Sequence, residues 1–125
     1  MTVQEFVEDY KKDLERIEIL NYIPFRNKLD ICNAILKDTC YEDGKLVLHS
    51  PIRNVMYLVV LVDVYTDIKV DIEHYIDEYD LLNQEYEEKE SPLSWILGEI
   101  NSNELREFDS IMQQLLADIG FNKEK

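Results

Sequence analysis

The sequence predicts an all-α (mainly α) domain of about six helices around a central apolar helix at 51–65, with a possible small β-hairpin near 40–48. Two observations predict it. Apolar residues recur at steps of three and four along most of the chain, the spacing of one helix face. Helix-start chemistry also repeats, as Thr2-x-x-Glu5, Ser50-Pro51 and Ser91-Pro92. The length of 125 residues and the 46% hydrophobic content fit one globular domain, 1–125, with a real core.

In order, "TVQEFVEDYKKDLERIEIL" opens on a capping box and carries Val3, Phe6, Val7, Tyr10, Leu14 and Ile17 at helical spacing. Pro24 suits a helix start, and Phe25, Leu29, Cys32, Ile35 and Leu36 give the second helix its stripe. The short loop before it implies antiparallel packing on the first. Asp43-Gly44 favours a tight type I′ turn between Cys40-Tyr41 and Leu46-Val47-Leu48. Val55 to Val62 is an unbroken apolar run. Ser50 as cap and Pro51 in the first turn make it a helix, apolar around nearly its whole circumference and so buried on most sides. After an alternating Ile68, Val70 and Ile72, a helix capped by Asp71 is expected, with Ile72, Tyr75, Ile76, Tyr79, Leu82 and Tyr86 on one face. Two more follow, with Leu93, Ile96, Leu97 and Ile100, then Leu105, Phe108, Met112, Leu115, Leu116 and Ile119 before the terminator Gly120.

Charge bounds the function. Twenty-seven acids against 13 bases give a net −14, a field that repels phosphate and anionic membranes, so no direct nucleic-acid or membrane binding is expected. Protein partners remain. Residues 63–90 hold eleven acids and two bases, about two thirds of the excess, whereas 23–50 sums to zero. The N-terminus has no signal-peptide pattern, and the longest apolar run is eight residues, short of the roughly 20 a membrane helix needs. Cys32 and Cys40 lack a C-x-x-C or zinc spacing and read as buried reduced thiols of a cytoplasmic protein.

No catalytic signature appears. His49 and His74 show no spacing that ties them to a nucleophile, and three glycines form no phosphate loop. Asp71, His74 and Glu78 share a helix face, but without the repeated motifs of metal proteins they read as a capped or solvated histidine. No enzyme activity, metal or cofactor is expected. Eight tyrosines are the compositional oddity. Tyr75 and Tyr79 read as core, whereas Tyr41, Tyr65 and Tyr86 fall at element ends, where amphipathic rings favour interfaces. Trp95 reads as an interface anchor or a buried ring. The acidic run, with Asp67, Asp71, Asp77, Glu78 and Asp80, is either a solvated face or a binding face.

The stretch 21–71, with its Tyr-Ile-Pro-Phe opening, Asp-Gly turn, Ser-Pro helix start and "YTDIKVD", resembles small acidic helical proteins of phages of low-GC Gram-positive bacteria. The resemblance implies virion morphogenesis: a head–tail joining, tail or assembly component, self-associating or bound to other phage or host proteins. The alternative is a phage anti-defence inhibitor of anti-CRISPR or anti-restriction type, whose carboxylates imitate a row of phosphates in a basic channel. Location follows the reading: virion for the first, host cytoplasm for the second.

Overall fold

Thr2 sets the first helix by the expected chemistry: its hydroxyl accepts from the Glu5 amide at 3.1 Å while the Glu5 carboxylate accepts from the Thr2 amide at 2.8 Å. The computed structural model describes residues 1–14, 16–47 and 49–120. Helix α1, Val3–Lys11, buries Val3, Phe6, Val7 and Tyr10. It ends earlier than its apolar pattern suggests. Asp13 turns left-handed at φ 58°, Lys89 clamps it through a 2.6 Å ion pair, and Leu14 is left 50% exposed. Residues 16–24 carry no helix, Ile19 bridging to Thr66 and the Leu20 amide donating to the Tyr65 carbonyl at 2.8 Å. The connection to the next helix is therefore long, and the principal partner of α1 is α4 (Tyr75–Asn83) rather than the expected α2.

Helix α2, Phe25–Thr39, follows Pro24. Its buried stripe is Lys28, Cys32, Ile35, Leu36 and Thr39, rotated from the expected one, so Phe25 is 53% exposed. Strands β1, Tyr41–Glu42, and β2, Lys45–Leu46, form an antiparallel hairpin pairing Tyr41 with Leu46. Asp43 and Gly44 take φ 53° and 78°, the doubly positive pair of a type I′ turn. Leu48 lies outside the described residues.

Helix α3, Ser50–Tyr65, buries Met56, Val59, Leu61, Val62 and Tyr65 and packs on α2, α4 and α5 (Pro92–Glu99). His49 occupies the cap position expected for Ser50, whose hydroxyl instead accepts from Arg53 at 3.3 Å. Ile68 and Val70 bury by alternation, Lys69 bridging to Thr2 between them. Ile72–His74 form a 3₁₀ turn before α4, which buries Leu82 and leaves Ile76 45% exposed. Tyr86 lies beyond that helix. Ser91 caps α5 by accepting from the Ser94 amide at 3.1 Å. Helix α6, Ser102–Asp118, packs on α2 and is followed by Gly120 at φ 93°. The described residues thus form six α-helices and one hairpin around a continuous buried cluster.

Candidate functional site

The acidic segment is knitted to the fold by its own carboxylates. Asp63 Oδ1 accepts from the Val70 amide at 3.1 Å, and Asp67 Oδ1 from the Glu18 amide at 3.2 Å. Asp71 Oδ2 lies 2.9 Å from His74 Nδ1, and Glu78 Oε2 accepts from the Asp71 amide at 2.9 Å. The hydrogen bond and charge of Asp71 raise the pKa of exposed His74 above its ordinary value. Among the described residues no group of three or more His, Cys, Asp or Glu is arranged to hold a metal ion. Asp77 and Asp80 stand exposed on α4.

The aromatic candidates separate. Tyr65 is fully buried, its hydroxyl donating to Glu104 Oε1 at 2.8 Å and its ring meeting Phe108 edge-on at 5.8 Å. Its ring is core rather than surface. Trp95 stacks on Phe6 at 6.1 Å and packs against Tyr10 at 5.9 Å, leaving part of it exposed. Tyr86 is half-buried beneath the Lys11 ammonium, 4.7 Å from the ring centroid, and its hydroxyl donates to the Leu81 carbonyl at 2.8 Å.

Two features emerge that composition concealed. The first is a buried ion cluster. Lys28 is 0% exposed; its ammonium lies 3.0 Å from Glu104 Oε1 and also donates to Glu107 Oε1. Glu104 accepts in addition from the Ile23 amide at 2.9 Å and from Tyr65. Burial pushes the Glu104 pKa up, but those three donors outweigh it and hold the carboxyl below its ordinary value. For Lys28 burial pulls downward, and Glu107 and Glu104 reverse it, so the ammonium is held above its ordinary value. The cluster ties α2, α3, α6 and the segment before α2 together. Its sequence signal is a charge at the first position of an apolar stripe: Lys28 before Cys32 and Ile35, Glu104 before Phe108 and Ile111.

The second is a pair of adjoining clefts along α2 and α3. One is floored by Ile31, Ala34, Ile35, Met56, Val60 and Ile72; the other continues past Asp38 to Ile52, Tyr75 and the hairpin. In the 20–25 segment, Leu20, Tyr22 and Phe25 are 54%, 62% and 53% exposed.

No protein-family model, curated protein or solved structure matches the chain. Among the described residues no helix is long and apolar enough to cross a membrane.

Proposed function

We propose that the chain is a non-enzymatic phage structural or assembly protein of head–tail or tail morphogenesis, self-associating through Leu20, Tyr22 and Phe25. The exposure of these three large apolar side chains, close together in the chain, carries the reading. Their backbone is tied to the fold: Leu20 is hydrogen-bonded to α3, Ile23 to Glu104, and the Tyr22 ring covers the Lys28 ammonium at 5.2 Å. Amphipathic rings on a fixed backbone lose little entropy on association. Phe25 lies within the 23–50 stretch, whose charges sum to zero, so a second copy meets less repulsion there than residues 63–90 would impose.

Light scattering after size-exclusion chromatography at low and high salt tests this. The expected result is a salt-insensitive oligomer that dissociates in a Tyr22→Ser/Phe25→Ser variant. A wild-type monomer under both conditions refutes self-association, and absence of the chain from purified phage particles refutes the virion assignment.

The second reading, an anti-defence inhibitor mimicking nucleic acid, draws support from the exposed Asp71, Glu73, Asp77 and Asp80. It predicts binding to a basic channel that weakens steeply with salt and with an Asp77→Asn/Glu78→Gln/Asp80→Asn variant.

A further inference from the structure

We infer that the groove along α2 and α3 is a docking site for a basic amphipathic helix from a partner protein. The inference stands apart from the self-association patch and from the virion setting. Five of the six floor residues named above come from these two helices, and Ile72 closes one end. Ala34 is exposed and Ile31 and Val60 are half-buried, so part of the floor is apolar surface that no element among the described residues covers. The two clefts hold about 200 and 320 Å³ and share Asp38, which joins them into one groove. A groove between two helices suits a third helix, laid in by its apolar face.

Charge selects the occupant. Asp38 and Asp63 line the smaller cleft, and Glu42 joins Asp38 in the adjoining one. Among the described residues neither cleft is lined by a lysine or arginine, and His49, 3.9 Å from Glu42, is the one basic side chain there. Asp38 lies beside His49 and Ile52, at the start of α3, whereas Asp63 is near that helix's end. From Ile52 to Asp63 the α3 axis advances about 16 Å at 1.5 Å per residue, about three turns. A helix in the groove therefore meets apolar floor along its middle and a carboxylate near each end. Arginine or lysine about three turns apart, with leucine-like anchors between, is the matching pattern. A second copy of this chain brings a net −14 of its own to that acidic rim and is disfavoured.

The probe is a synthetic amphipathic helix of about 16 residues, leucines one turn apart on one face and an arginine near each end, followed by fluorescence anisotropy at low salt. A scrambled peptide of equal charge and a peptide with glutamates for the arginines are the controls. Saturable binding is expected for the patterned peptide alone, weakened roughly tenfold by Asp38→Asn/Asp63→Asn and abolished by Ala34→Lys, which sets a cation on the floor. Asparagine keeps the acceptor that Val70 uses at position 63, Ala34 is exposed, and circular dichroism checks each variant's fold. Equal binding of the scrambled peptide, or binding indifferent to both variants, overturns the inference. So does a dimer that Ala34→Lys dissociates, which would make a second copy the occupant.

Discussion

Lys28 is a fully buried ammonium, and its removal is asymmetric in consequence. Lys28→Met strands Glu104 without its cation, and loss of one member of a buried pair costs about 3–5 kcal/mol. Replacing both, Lys28→Met/Glu104→Leu, removes the stranded charge and is expected to recover part of that loss in urea unfolding. A double variant no more stable than Lys28→Met would mean that Glu104 is held by Ile23 and Tyr65 alone. The pH dependence follows from the same atoms. The folded pKa of Glu104 is depressed below its ordinary 4.5, so its contribution is fully present above that value and is lost as pH falls through the folded pKa. Acid titration of wild type should therefore show a steeper loss of stability below about pH 4.5 than Glu104→Gln does. Burial pushes the Cys32 thiol up to about 12, so its alkylation should track unfolding rather than native-state chemistry. Sequence reading found the buried cysteines because burial is their ordinary state. It missed Lys28 and Glu104 because their types are almost always solvated, and only their stripe positions betrayed them.

At the level of elements, signals confined to a few residues were legible and those requiring a distant partner were not. The Thr2–Glu5 box, the Asp43-Gly44 turn and the Ser91 cap each specify their own geometry over four residues or fewer. The length of α1 does not: Leu14 and Ile17 continue the helical period, yet Asp13 is held left-handed by Lys89, far along the chain. Likewise the period from Ile72 to Tyr86 reads as one helix, whereas the chain makes a 3₁₀ turn at Ile72–His74 and leaves α4 before Tyr86. The α2–α3 groove was illegible for a related reason. Ile31, Ala34 and Val60 look like ordinary stripe members, and only the packed pair of helices shows that the described residues leave them partly uncovered. The local signals are testable where they act. Thr2→Ala should destabilise by about 1 kcal/mol, with faster hydrogen exchange at the Glu5 amide. Unchanged exchange there would show that the Glu5 side chain alone holds the first turn.

For the whole molecule the governing quantity is a net charge of −14 with 63–90 carrying −9. Asp71, Glu73, Asp77 and Asp80 are all exposed within ten residues, and like charges so placed repel in the folded state more than in an expanded chain. Screening relieves that repulsion, because the Debye length falls from about 30 Å at 0.01 M salt to about 3 Å at 1 M. The buried Lys28–Glu104 pair is shielded from the ions and keeps its contribution. Exposed pairs such as Lys11–Glu8, 3.6 Å apart on α1, contribute about 0–1 kcal/mol and lose little. The melting temperature is therefore expected to rise from low to high sodium chloride. In Asp77→Asn/Asp80→Asn it should start higher and rise less, the two curves converging at high salt. Parallel curves would place the repulsion elsewhere than on α4. A melting temperature that falls with salt would mean that exposed attractions outweigh the repulsion of the acidic segment.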